Sequence, residues 1–344
     1  MSRMITNKNS LNQIPWIEKY RPRKTDELIL NETLLKKINK IIEDRDMPNL
    51  IITGIPGIGK TTTIKCIVQK LYGKYVKDAV LELNASDDRG IRAVQDIITN
   101  FCKKKLDLND NNNMDGTGKL RYATHKTIIL DEGDNMTQKA QISINNLMEK
   151  YHSTTRFAFT CNSSSDIIES IQSRCNIIRY MRLTNDQIVK RLKYICEKEK
   201  VPHEDEALET IAMISHGDVR SAINNLQLVY NCYGDIIEDY IYTICDKPQP
   251  IIINKIFDAC LEKNFKKAID TFYKLKNQGF MESDIILNMI SIIRNEKTNL
   301  NERTKNLFLN KICNSAYIIS KGFDTPLQLT SCIAELISCV DEKQ

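Results

Sequence analysis

The chain has 344 residues, 42% of them apolar, with 49 Lys and Arg against 44 Asp and Glu. That length exceeds one ordinary domain, so two or three packed units are expected, and the formal charge of +5 permits a polyanionic partner without requiring one. No apolar run approaches the ~20 residues that cross a bilayer, so the expectation is a soluble, intracellular protein with no membrane partner.

Residues 1–13 read as a polar tail. Asn31 is placed to cap a helix whose Leu34, Leu35, Ile38, Ile41 and Ile42 recur at helical spacing until Pro48 resets the chain. From Asn49 to Tyr180 short apolar runs alternate with amphipathic stretches. Leu50–Thr53, Ala79–Leu83, Thr127–Asp131, Arg156–Thr160 and Asn176–Tyr180 read as strands, an alternation that predicts a parallel α/β sheet. The Asn-rich patch from Asp107 to Gly118 is too polar to bury and reads as an exposed insertion. After Thr184 the strand signals stop. Ile188, Leu192 and Ile195, then Leu208, Ile211 and Ala212, then Val219, Ala222, Ile223, Leu226 and Val229 follow the spacing of a small helical bundle. Pro248 and Pro250 mark a linker, and Ile251 to Val340 is helical again. Eleven cysteines contain no C-x-x-C pair, which argues against a zinc knuckle or a disulfide framework and for reduced, mostly buried thiols.

The chemistry concentrates in two places. Gly54-Ile55-Pro56-Gly57-Ile58-Gly59-Lys60-Thr61 follows a predicted strand and opens a predicted helix, with Thr62 next. Glycines there let the backbone curl so that its N–H groups and the helix N-terminus cradle phosphate; Lys60 can reach the β/γ-phosphates and the Thr61 hydroxyl can ligate Mg²⁺. Thr127-Ile128-Ile129-Leu130-Asp131-Glu132 is an apolar strand ending in two carboxylates, a Walker B pattern. Asp131 suits the Mg²⁺ shell and Glu132 suits the polarisation of an attacking water. Together they predict ATP or GTP hydrolysis.

Ile14-Pro15-Trp16-Ile17-Glu18-Lys19-Tyr20-Arg21-Pro22 resembles the N-terminal signature of replication factor C and archaeal clamp-loader small subunits. Leu83-Asn84-Ala85-Ser86-Asp87-Asp88-Arg89-Gly90, Phe159-Thr160-Cys161-Asn162, Ser173-Arg174-Cys175 and Gly217-Asp218-Val219-Arg220 are similar to further motifs of that family, in order. The resemblance implies an AAA+ P-loop domain over 14–182, an all-α lid over 183–246 and an all-α collar for oligomerisation over 247–344. It implies that Ile17, Tyr20, Arg21, Pro22 and Ile29 wrap the adenine and ribose of ATP, that Asn162 is sensor 1, and that Arg220 is a sensor 2 arginine acting on the same subunit's phosphates. Arg174 resembles an arginine finger completing a neighbour's site, a trans contribution worth roughly 10³–10⁵ in rate. Arg89, Gly90, Ile91 and Arg92 resemble the start of a helix that tracks duplex phosphates, while Phe101, Cys102 and the start of the Asn-rich insertion lie where family members present the clamp contact. The implied partners are other loader subunits in a hetero-oligomeric pentamer, a sliding clamp and primer-template DNA, in a nucleus or a viral replication compartment.

Two departures stand out. The family's Asp-Glu-Ala-Asp reads Asp131-Glu132-Gly133-Asp134, where Gly133 should loosen the strand exit, and its Val-Gly-Asn reads Ile29-Leu30-Asn31, which alters the fit around the base. Two other readings compete with an active loader subunit. A passive subunit would lend Arg174 without turning over ATP, and a stand-alone AAA+ remodeller such as a branch-migration motor would share the P-loop. Intact Lys60, Thr61, Asp131 and Glu132 argue against the first; the Trp16-to-Pro22 strap together with Ser173-Arg174-Cys175 argues against the second.

Overall fold

The computed structural model describes residues 14–85, 91–106, 121–245, 248–294 and 300–341, with the side chains of 91–93 and 341 outside the description. Two compact units divide the chain, the first ending at Ile236 and the second starting at Ile237.

In the first unit one parallel sheet holds β1 (Leu50–Thr53), β2 (Val80–Asn84), β3 (Lys126–Asp131), β4 (Thr155–Cys161) and β5 (Asn176–Arg179), in the order β2-β3-β4-β1-β5. Each strand end falls within one residue of its sequence expectation. Around the sheet run α1 (Trp16–Lys19), α2 (Glu32–Asp44), α3 (Lys60–Tyr72), α4 (Val76–Ala79), α5 (Ile91–Lys103), α6 (Gln138–Lys150) and α7 (Glu169–Gln172). The three central strands β1, β3 and β4 are buried on both faces, as covered parallel strands require, while the edge strands β2 and β5 are partly exposed. Leu50 and Ile52 join Ile129, Ala158 and Ile178 under Ile64, Ile67 and Leu71 of α3. Ile51 points the other way, with Ile128, Leu130, Phe157 and Phe159 against Ile144 and Met148 of α6. Each fully buried aliphatic side chain contributes about 1.5–3 kcal/mol. Cys102 belongs to this second layer and is buried, and the half-buried Phe101 packs against the same layer.

The chain leaves β1 for β2, returns through β3 and β4, then passes β1 to add β5. The connections leaving the neighbours β1 and β4 therefore run in opposite directions, and the crevice outside the carboxyl ends at such a point is where ligands bind. Asn31 caps α2 as expected, accepting from Leu34 N at 2.9 Å, but the helix stops before Pro48 because Arg45 turns left-handed at φ 52°.

Three further helices complete this unit: α8 (Asn185–Glu199), α9 (Asp205–Ile214) and α10 (Val219–Tyr233). The expected apolar stripe is buried at Ile188, Leu192, Ile195, Leu208, Ile211, Ala212, Ala222, Ile223, Leu226 and Val229. Val219 is the exception: it is half-buried and lines the crevice instead.

The second unit contains α11 (Glu238–Ile244), α12 (Pro250–Leu261), α13 (Phe265–Asn277), α14 (Glu282–Arg294), α15 (Glu302–Ser320) and α16 (Pro326–Asp341). After the expected linker the helix starts at Pro250, one residue before Ile251, at the position where the missing N–H costs nothing. Phe257, Phe272, Met289, Phe308, Ile312 and Leu336 form the centre of an independent core. All eleven cysteines are free thiols and seven are buried, in line with the sequence reading. Among the described residues no helix is long and apolar enough to cross a membrane.

His125, 5% exposed, packs edge-on to Tyr72 beside β3, and its Nε2 has no hydrogen-bond partner among the described residues. Burial first, then Arg156, pushes its pKa down to about 4 against the opposing pull of Asp46. The folded imidazole therefore stays neutral while the unfolded one charges below ~6.5. This stability is fully present above that pH and is lost as pH falls toward 4, an effect of about 3 kcal/mol. His125→Leu should flatten that portion of the acid limb, measurable by urea unfolding at pH 7.5 and 4.5; an unchanged slope would assign the limb to other groups.

Candidate nucleotide-binding site

A cavity of about 540 Å³ opens at the carboxyl edge of the sheet, between the strand ends and the N-terminus of α10. Its volume suits a nucleotide-sized ligand. Register determines what meets there. Parallel pairing sets Thr53 of β1 beside Cys161 of β4, and Leu130 of β3 beside Phe159 of β4, so the phosphate loop, the carboxylate pair and Asn162 emerge side by side.

The loop Pro56–Thr61 and Thr62 line the cavity. Gly54 and Ile55 sit behind it, contributing carbonyls to Lys60 Nζ at 2.6 and 3.0 Å. Two glycines are needed for close approach: a Cβ on Gly54 would stand 2.9 Å from the Tyr180 carbonyl, and one on Gly57 would stand 1.7 Å from a carboxylate oxygen of Asp218. Gly59 needs only its left-handed backbone, φ 93°, to start α3. Ile58 is buried into the layer under α3, which accounts for an apolar residue at that point of the loop.

Lys60 Nζ also donates to Asn162 Oδ1 at 2.9 Å. An ammonium can only donate, so it fixes the amide oxygen toward itself and leaves Asn162 Nδ2 as the donor offered to the cavity. Burial lowers the Lys60 pKa, opposed by Cys161, Asp134 and Asp131. The Thr61 hydroxyl donates to both Asp131 oxygens, at 3.0 and 3.1 Å, and the Thr160 hydroxyl donates to Asp131 as well. Hydroxyl and carboxylate oxygens grouped this way are the hard donors Mg²⁺ takes, with water completing its shell, so Thr61 and Asp131 fit a magnesium site.

Glu132 occupies the left-handed region at φ 56°, held there by its own N–H donating to Thr160 Oγ1 at 3.2 Å. Its Oε2 accepts from Asn135 Nδ2 at 3.3 Å, and the exposed carboxylate lines the cavity where it can meet a water. Arg220, in the first turn of α10, is exposed, lines the same cavity and has no hydrogen-bond or ion-pair partner among the described residues.

The far end of the cavity is built from Ile17, Tyr20, Arg21, Pro22 and Ile29, the residues expected to wrap the base, together with Leu28 and Leu30. Arg21 Nε donates to Thr62 Oγ1 at 3.2 Å, tying this strap to α3. Trp16 N donates to Gln227 Oε1 at 2.9 Å and the Tyr20 hydroxyl donates to Glu199 Oε1 at 2.6 Å, tying it to α10 and α8.

Arg174 is not in this cavity. It pairs with Glu149, donates to Ser170 O at 2.8 Å and lies just before β5, on the amino edge of the sheet. One strand length, about 13 Å for four residues, separates that edge from the carboxyl edge. Arg89 and Gly90 lie outside the described residues, as does the insertion from Asp107; Ile91 and Arg92 begin α5, with their side chains outside the description.

Thr160, Asp134 and Arg191 are among the cavity residues that escaped the sequence reading. Thr160 and Asp134 fall within quoted motifs, but only the strand register brings Thr160 to Asp131. Arg191, which donates to the Tyr20 carbonyl, sits mid-helix on α8 with no motif to mark it.

A five-stranded parallel sheet in this order, with a phosphate loop after β1, paired carboxylates after β3 and a helical lid behind, defines a P-loop ATPase of the AAA+ class. Relatives agree over most of their length: 41% identity over 95% of this chain and 97% of a mimivirus protein named as a replication factor C small subunit, and 39% over 96% and 93% for replication factor C subunit 4 of Schizosaccharomyces pombe. The chain belongs to the replication factor C small-subunit family. Subunit 4 of Saccharomyces cerevisiae is 38% identical over 94% of this chain and 96% of its own. Family models match as the Rad17 P-loop domain over 7–175, the RCF1/5-like AAA+ ATPase lid domain over 190–230 and the replication factor C C-terminal domain over 248–335. A solved Thermotoga maritima RuvB Holliday junction branch migration motor superposes with a TM-score of 0.52 over 71% of this chain and 80% of that one, at 18% identity, a likeness of fold alone.

Gly133 turns out to be an ordinary position. Its φ is not positive, and an added Cβ would meet Phe159, the Thr160 carbonyl and Ile167 at 3.5–3.9 Å, normal contact. Restoring alanine should stabilise the protein by about 0.4–1 kcal/mol through the unfolded chain, read by thermal melting, and leave nucleotide affinity unchanged. A fall in melting temperature would mean that the strand exit needs glycine.

Proposed function

We propose that the chain is an active ATPase subunit of a hetero-oligomeric clamp loader, in which ATP binding aligns subunits, opens a sliding clamp and grips primer-template DNA, and hydrolysis releases the clamp. One observation carries this reading: Lys60, Asp131, Glu132, Asn162 and Arg220 converge on one cavity while Arg174 stands at the opposite edge of the sheet.

In this reading the Gly57–Thr61 backbone and Lys60 hold the β/γ-phosphates, and the strap holds adenine and ribose. Thr61 and Asp131 bind Mg²⁺, which when present neutralises charge on the transferring phosphoryl group. Glu132 orients the attacking water and accepts its proton; Asn162 Nδ2 donates to the water or to the phosphoryl oxygens. Arg220 adds a charged donor from α10, so closure of the lid reports bound nucleotide. Arg174 cannot reach its own cavity from the amino edge, which favours service to a neighbouring subunit in a pentameric ring or spiral. Arg89, Gly90, Ile91 and Arg92, at and before the start of α5, are the proposed DNA backbone contacts; they position without reading sequence. The proposed setting is a nucleus or a viral replication compartment.

Steady-state ATPase assays, alone and with partner subunits, clamp and primed DNA, test the reading. Lys60→Ala should abolish nucleotide binding, Glu132→Gln should retain binding but cut turnover by about 10²-fold or more, and Arg174→Ala should slow hydrolysis only in the assembled complex. An Arg174→Ala defect equally large in the isolated chain would refute trans action, and turnover indifferent to clamp and DNA would refute the loader reading.

A further inference from the structure

Asp134 lines the cavity beyond the carboxylate pair, in the short turn Gly133–Asn135. Its two oxygens face different things. Oδ2 accepts from the backbone N–H of Asn162 at 2.9 Å, across the gap between the ends of β3 and β4. Oδ1 is buried with no hydrogen-bond partner among the described residues.

That arrangement is costly unless it serves the site. A buried carboxylate oxygen without a donor forfeits its hydration, and two donors on the two oxygens would be the ordinary solution. The residue it grips completes a chain: Asp134 holds the main chain of Asn162, and the Asn162 side chain in turn accepts from Lys60 Nζ at 2.9 Å. Asn162 is thus fixed at both ends, its backbone by a carboxylate and its amide oxygen by an ammonium. The direction of Nδ2 follows from those two restraints, since no remaining freedom about the main chain can swing the amide away.

We propose that Asp134 is a positioning residue for phosphoryl transfer, aiming Asn162 through one oxygen and keeping the other beside it as a buried acceptor without a donor among the described residues. The proposal rests on the ATPase reading above. A two-oxygen role demands a carboxylate. Asparagine at this position can still accept the Asn162 N–H through its amide oxygen, but it presents an NH₂ donor where Oδ1 stood as an acceptor. Asp134→Asn therefore separates the two jobs, and Asp134→Ala removes both.

The test uses the full chain in whichever preparation, alone or assembled, gives the higher wild-type turnover. Equilibrium binding of a fluorescent ATP analogue and single-turnover ATP hydrolysis are measured for wild type, Asp134→Ala, Asp134→Asn and Glu132→Gln. Both Asp134 variants should bind the analogue within about threefold of wild type, which also certifies a folded site. Hydrolysis by Asp134→Ala should fall by about 10- to 100-fold, the scale of a misplaced catalytic group. Asp134→Asn should remain at least about fivefold slow. Wild-type turnover by Asp134→Asn would overturn the role of the second oxygen. Loss of binding in step with rate in both variants would overturn the positioning role and leave a structural one. Should Glu132→Gln hydrolyse as fast as wild type, the failure lies with the assignment of the site itself; a stalled Glu132→Gln beside a fully active Asp134→Ala would defeat this inference alone.

Discussion

The site depends on the parallel register that seats β4 between β1 and β3. Thr53 pairs with Cys161 and Leu130 with Phe159, so three chain segments far apart in sequence end within hydrogen-bond reach of one another. Lys60 from the β1 side and Asp131 from the β3 side both attach to the end of β4, the first through Asn162 Oδ1 and the second through the Thr160 hydroxyl. A shift of one residue in that register would turn Thr160 away from Asp131 and bury it in a layer where it has no partner. The hydrophobic layers enforce the register: alternate residues of β1, β3 and β4 go to opposite faces, and both faces are covered.

On this rigid sheet the remaining parts are carried by elements that touch it only locally. The strap bridges α3 through Arg21 and the lid through Trp16 and Tyr20, while Gly57 of the loop lies against the Asp218 carboxylate that caps α10. Arg220 follows two residues after that cap. A contact this close between the loop and the lid ties the seating of α10 to the loop's conformation.

Most of the sheet was legible because covered parallel strands write themselves as short apolar runs, and all five were found with ends displaced by no more than one residue. The phosphate loop and carboxylate pair were legible because their chemistry needs fixed residue types at fixed spacing. What was not legible depended on pairing between strands. Thr160 is an unremarkable strand threonine until β3 lies beside it, Asp134 is a turn carboxylate until Asn162 meets it, and Arg191 shares its helix with a stripe that claimed attention for packing. Val219 fitted the stripe by spacing yet faces the cavity, since the first turn of α10 projects past the core. The break at Pro248 and Pro250 was legible too, since the next helix starts at Pro250, one residue before its expected start.

The most direct test of a single cavity assembled from sheet, strap and lid of one chain is a structure with a slowly hydrolysed ATP analogue and Mg²⁺. The account predicts phosphates against the Gly57–Thr61 backbone, Mg²⁺ between Thr61 and Asp131, the base among Ile17, Tyr20 and Ile29, and Arg220 of the same chain on the terminal phosphate. Nucleotide bound elsewhere, or a terminal phosphate contacted by Arg174 of its own chain, would contradict it.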